Sequence, residues 1–231
     1  MNPYETSAWT CALDLSGPHG AFALRKTGEP SPAVARSLPR QGVGHAAFFA
    51  ELLAALDGLG VELGDISRWR VGVGPGSFTG LRSSVAFVAG LAAAGKGVEA
   101  RGLPSAFPVA LALRPRPGET VAVLYDGRRG ETILYGVAFE AGSPRAHGRP
   151  AVLDKAAAPA ALAAFDHLVT LDPVGVAANL PPGGVDALVV LDRFPIELAL
   201  GDFDDAAFRP TNELVYVRPA VFVAPAKTRT I

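Results

Sequence analysis

The stretch from Val71 to Gly95 constrains the fold of this chain more than any other. A short apolar strand runs into Gly74-Pro75-Gly76-Ser77-Phe78-Thr79-Gly80 and then into a helical pattern whose one charge is Arg82. Strand, glycine-rich turn and helix in that order belong to α/β proteins, where the turn either offers backbone N–H groups to an anion or lets the elements pack closely. Three motifs fail here. A Walker A loop needs Lys and Ser/Thr after its last glycine, where Leu81-Arg82 stands. A nucleophile elbow needs glycines two residues either side of its serine, where Ser77 has Pro75 and Thr79. A dinucleotide fingerprint begun at Gly72 meets Ser77 in place of its third glycine. What remains is a turn in which Pro75 fixes φ and Ser77 or Thr79 caps the helix. Close packing and contact with an anion or nucleotide, through Gly76 and Ser77, both stay open.

With 231 residues, one large domain or two small ones are within reach. Apolar residues make up 49% and charged residues 19%, a balance that predicts some apolar surface covered by another chain. The net charge of −1, from 21 Lys and Arg against 22 Asp and Glu, excludes a broad basic field for gripping nucleic acid unaided. Cys11 as the single cysteine excludes intrachain disulfides and thiolate clusters and fits the cytoplasm. No secretory signal is expected from the first residues, and no apolar run approaches the roughly 20 residues that span a bilayer.

Along the chain, Trp9–Leu15 and Ala21–Arg25 read as a hairpin around Ser16–Gly20, with Ala33–Leu38 as a third strand. His45–Leu59 has the i, i+3, i+4 spacing of a helix, followed by a strand at Trp69–Val73, a helix at Thr79–Ala94, a strand at Val98–Arg101 and a helix from about Leu103-Pro104-Ser105 to Leu113. Arg114-Pro115-Arg116-Pro117-Gly118 reads as a linker between an N-terminal unit, 1–114, and a C-terminal one, 115–231. Beyond it, Thr120–Tyr125 and Thr132–Glu140 flank Asp126–Glu131 as a second hairpin, so a duplicated α/β plan is expected. A helix near Ala156–Phe165, strands near Leu168–Leu171, Leu188–Leu191 and Leu214–Val217, and loops at Gly142–Pro150 and Pro181–Gly184 complete a half short on helix.

On His45–Leu59 the large residues Phe48, Phe49, Leu52, Leu53, Leu56 and Leu59 oppose Ala46, Ala47, Ala50 and Ala54. On Thr79–Ala94 the face of Leu81, Val85, Val88 and Leu91 opposes a small-residue stripe of Ser83, Ala86, Gly90 and Ala93. Such helices are covered on two sides: a sheet covers one, and a closely approaching helix of this chain or another covers the other. Catalytic groups are sparse. His19, His45, His147 and His167 lack paired ligand spacing, so neither a metal site nor a catalytic residue is assigned. Asp14, followed by Leu15-Ser16-Gly17, stands where nucleotide-binding folds hold metal-bound phosphate, or it simply forms the turn. Asp126, Arg128, Arg129 and Glu131 make a charged hairpin tip, either solvated or in contact with substrate or RNA.

Taken together, Ala12-Leu13-Asp14-Leu15-Ser16, the helix opening at His45, Gly72–Gly80 with Leu81-Arg82, Asp126-Gly127-Arg128-Arg129-Gly130-Glu131 and Val215-Tyr216-Val217-Arg218-Pro219 resemble the TsaB family, also called YeaZ. The resemblance spans nearly the whole chain. It implies the two-lobed actin-like ATPase fold of sugar kinases, Hsp70 and actin, each lobe on a mixed sheet. It also implies a non-catalytic scaffold in bacterial synthesis of threonylcarbamoyladenosine on tRNA, paired with the catalytic subunit TsaD and the ATPase TsaE. On that reading tRNA is met only through the complex, and the chain alone forms a homodimer. The pairing residues would be His45, Phe48, Phe49, Leu52, Ser83, Ala86, Phe87 and Gly90. No intrinsic cofactor is implied beyond a weak ATP or ADP contact at Asp14, Ser16, Gly76 and Ser77. Leu15 stands where relatives usually have Thr, which counts against phosphate binding. The rival reading is a kinase- or ATPase-type enzyme that uses Asp14 and the Gly74–Gly80 loop.

Overall fold

The computed structural model describes residues 8–39, 45–95, 97–140, 142–181 and 186–217. Strands β1 (Trp9–Asp14), β2 (His19–Lys26) and β3 (Val34–Pro39) form an antiparallel meander. Helix α1 (His45–Leu59) leads to β4 (Ile66–Gly72) and α2 (Phe78–Ala94) to β5 (Glu99–Leu103); these strands run parallel to β1, giving the order β3-β2-β1-β4-β5. After α3 (Ala106–Leu111) and the Arg114–Gly118 linker the plan repeats. β6 (Thr120–Arg128), β7 (Glu131–Glu140) and β8 (Ser143–Ala146) are antiparallel, and β9 (Ala151–Leu153) pairs with β7. Then α4 (Ala158–Leu162), β10 (His167–Thr170), α5 (Pro173–Asn179) and β11 (Leu188–Val190) complete the order β11-β10-β6-β7-β8. β10 is parallel to both β6 and β11. Two sheets with one strand order and the same strand senses are the duplicated lobes of the actin-like ATPase fold, as expected.

Alternation along the strands sorts the core into layers. Cys11 and Leu13 of β1 point outward, where Phe48, Leu52 and Leu56 of α1 and Val88 of α2 cover them together with Phe22, Trp69 and Val71. Ala12 points inward, into a core that also holds Phe107 and Val109 of α3, Val121, Val123 and Tyr135 of the second sheet, and Ile196. On the far side of the second sheet Ala122 and Leu124 lie under α4 and α5, against Leu162 and Val176. The middle layer therefore belongs to both lobes. Each fully buried large side chain in it contributes about 1.5–3 kcal/mol.

Several expectations shift. β4 starts at Ile66, three residues before the apolar pattern declares it, because pairing with β1 begins at Trp9. α3 stops at Leu111 instead of Leu113, and Ser105, expected at its start, spends its hydroxyl on the Gly74 N–H at 3.1 Å. α4 covers only Ala158–Leu162 of the Ala156–Phe165 pattern. β8 occupies part of the expected Gly142–Pro150 loop, and β9 and α5 were not read from the sequence. Leu214–Val217 is not a strand; Val215 instead donates one hydrogen bond to Val73 O at 2.8 Å. Of the Pro181–Gly184 loop only Pro181 lies among the described residues, and Arg218 and Pro219 lie outside them. Among the described residues no helix is long and apolar enough to cross a membrane.

Candidate functional site

Two turns, one from each lobe, face a cleft of about 630 Å3. In the first lobe Asp14 Oδ1 accepts the Ser16 N–H at 2.7 Å, and in the second Asp126 Oδ1 accepts the Arg128 N–H at 2.7 Å. The same aspartate device thus closes the strand end in both copies of the plan. Gly76 and Ser77 from the β4–α2 loop, Phe78 at the start of α2, Tyr125 from β6 and Asp172 at the start of α5 complete the walls. The loop is pressed onto its neighbour. Ser77 N–H donates to Ser16 O at 2.6 Å, and a Cβ on Gly76, whose φ is +154°, would lie 2.3 Å from that oxygen. Ser77 also caps α2, its Oγ accepting the Gly80 N–H at 3.3 Å. Packing and capping therefore account for the glycine-rich loop.

The four residues expected at a nucleotide divide. Ser16, Gly76 and Ser77 line the cleft, whereas Asp14 lies beneath it, 2% exposed and turned against Gly72 and Ser105. Its carboxylate is engaged in closing the strand end. Among the described residues two buried hydroxyls at this cleft find no protein hydrogen-bond partner, Ser16 Oγ and Tyr125 Oη. Burial, then the neighbouring charges of Asp14 and Tyr135, push the Tyr125 phenol well above its ordinary range, so it is a neutral donor. A hollow of about 700 Å3 beside β11, lined by Leu162, Phe165 and Val189, presents none of the unpartnered buried polar groups of the described residues. Among the described residues no three His, Cys, Asp or Glu side chains cluster as metal ligands.

The residues expected at a pairing surface also divide. Phe48 and Leu52 are 4% and 0% exposed and face the sheet instead of the outside. An aromatic seam runs from Phe22 through Phe48 and Phe49 to Phe87 and Trp69, with Phe49 and Phe87 at 4.6 Å, and ties α1 to α2. Bulk is used there because alanines cannot fill the space between helix and sheet. Ser83 is half-buried, and the side chain of His45, which opens α1, is outside the described residues. The outward faces are small: Ala46, Ala47, Ala50 and Ala54 on α1, and Ala86, Ala89, Gly90 and Ala93 on α2, with Leu53 46% exposed among them. The periodicity separates the two faces of each helix without saying which one meets the sheet; burial gives the face with Phe48 and Leu52 to the sheet.

A family profile described as "TsaD: tRNA N6-adenosine threonylcarbamoyltransferase" matches residues 45–177. Among solved structures, YeaZ from Pseudomonas aeruginosa is similar at 27% identity, covering 87% of this chain and 90% of its own, with a TM-score of 0.64. A second Pseudomonas aeruginosa protein, described as uncharacterized with similarity to the peptidase YEAZ, aligns at 24% identity over 91% of this chain and 100% of its own, with a TM-score of 0.66. No curated protein sequence matches the chain.

Proposed function

Because the chain belongs to the TsaD family and is YeaZ-like over nearly its whole length, we propose that it is an accessory subunit of threonylcarbamoyladenosine synthesis on tRNA. In this role it stabilises a TsaD-type catalytic subunit and works with a TsaE-type ATPase. The observation that carries the reading is the outer face of α1 and α2, where alanines and Gly90 are exposed beside few charges. Small side chains let a second pair of helices approach closely, and each alanine left in water forfeits that burial. Alone, the chain self-associates through the same face. The test is co-purification with the TsaD-type subunit: Ala86→Arg, on the exposed stripe, is expected to reduce recovery at least ten-fold without unfolding the chain. Equal recovery overturns the reading, and a strictly monomeric chain at high concentration overturns the self-association.

A second reading, nucleotide binding in the cleft, is favoured by the unpartnered hydroxyls of Ser16 and Tyr125. It predicts saturable, magnesium-dependent ATP binding that weakens in Ser16→Ala and Tyr125→Phe. Calorimetry showing no heat at millimolar ATP removes it.

A further inference from the structure

At the lip of the cleft Phe78 stands in contact with two further exposed side chains, Arg82 and Tyr216. Phe78, the first residue of α2, is 43% exposed, and Tyr216 is 45% exposed at 5.5 Å between ring centroids. The Arg82 guanidinium carbon lies 3.7 Å from the Phe78 ring centre, and its Nε donates to Tyr216 Oη at 3.2 Å. Phe78 also borders the cleft, as does Arg128 from the opposite lobe. Arg128 and its neighbour Arg129 are exposed at the hairpin tip and hold φ values of +59° and +55°, a left-handed conformation that turn sequences usually give to Gly or Asn. Backbone strain at two consecutive arginines, the first of them on the cleft rim, marks a site where the side chains matter more than the turn. Among the described residues none of these three arginines is in an ion pair. Two carboxylates of the cleft wall are engaged with the fold: Asp126 Oδ1 accepts from Arg128 N and Asn179 Nδ2, and Asp172 Oδ1 accepts from Gly175 N.

We propose that this rim is an RNA-contact surface, on which an unpaired nucleobase stacks against Phe78 while flanking phosphates meet Arg128 and Arg129. An aromatic ring backed by a guanidinium is a platform for any base, and outward arginines supply the counter-charge for its backbone. An unpaired base is required because a paired one keeps its faces inside the stack. The choice of RNA as partner rests on the accessory reading given above; the stacking geometry does not.

The test is fluorescence anisotropy of the full chain, at low salt, with a labelled stem-loop RNA and with a fully paired duplex of equal length. The loop is expected to bind more tightly than the duplex. Phe78→Ala is expected to weaken loop binding about ten-fold, with Phe78→Trp restoring it. Replacing Arg128 and Arg129 together by Ala lowers the log–log salt slope by about two. Equal binding of loop and duplex, no binding, or indifference to Phe78→Ala overturns the proposal. Displacement of the RNA by excess ATP also overturns it, since the platform then serves a free nucleotide. Phe78→Ala leaves the outer face of α1 and α2 intact, so it should co-purify normally with the TsaD-type subunit. Loss of RNA binding by the native chain with normal co-purification sinks this proposal alone, and the converse result sinks only the accessory reading.

Discussion

At Gly72 one hydrogen atom decides whether the end of β1 can close. A Cβ there would lie 1.8 Å from Asp14 Oδ2 and 2.4 Å from its Cγ, with Ser105 Oγ at 2.9 Å. The carboxylate has nowhere to go, because its other oxygen holds the Ser16 N–H and the residue is 2% exposed. Gly72→Ala is therefore expected to destabilise the chain by roughly 3 kcal/mol, read as a lower urea midpoint. His19 carries a pH effect of opposite origin. Burial lowers its imidazole below the ordinary value of 6.5, and its Nδ1 has no hydrogen-bond partner among the described residues. The unfolded chain then takes up the proton first as pH falls, so stability drops below about pH 6.5 and is regained above it. His19→Gln should flatten that acid limb of the stability curve; an unchanged slope would show that the ring is solvated.

The outer face of α2 sets stability against docking at a single glycine. Gly90 lies mid-helix with nothing among the described residues within 4 Å of a Cβ built on it. Gly90→Ala should therefore stabilise the isolated chain by about 0.5–1 kcal/mol, a rise of roughly 2–3 °C in Tm. The same methyl group stands on the small-residue stripe and should weaken capture of the partner subunit, so the two readouts move in opposite directions. This helix and α1 were legible in the sequence because 15 and 17 residues display their apolar period over several turns. The elements that were not legible, α5, β8 and β9, have 7, 4 and 3 residues, too few for a period to show. Tertiary bonds hold them, such as Asn179 Nδ2 donating to Asp126 Oδ1 and Glu131 O at 3.1 and 2.9 Å. The cleft divides in the same way. Its glycine loop declares itself locally, but the Arg82–Tyr216 contact joins residues 134 positions apart, and Ser16 and Tyr125 reach the same cleft from opposite lobes.

The two lobes are further coupled by the last described segment, which leaves the second sheet and returns to the first. Phe194 N–H donates to Ser37 Oγ at 3.0 Å, Gly102 and Arg209 exchange backbone bonds at 2.7 and 2.9 Å, and Val215 N–H reaches Val73 O. Arg70 on β4 is the central fastening. Its Nη1 donates to Ala199 O at 2.9 Å and Gly201 O at 2.5 Å, while the rings of Phe203 and Phe208 lie 5.7 and 5.3 Å from its guanidinium carbon. Burial first, and then the nearby Arg25 charge, lower its pKa to about 10, which leaves it protonated at neutral pH. Arg70→Met keeps the apolar stem but strands both carbonyls, at an expected loss of about 2–3 kcal/mol, or roughly 4–10 °C in Tm. Because the lost bonds belong to the returning segment, hydrogen exchange should quicken at the amides of Gly102, Arg209 and Val215. The amides between β10 and β11 should keep their rates. Uniform quickening across both sheets would instead mean that Arg70 supports global stability without fastening this segment.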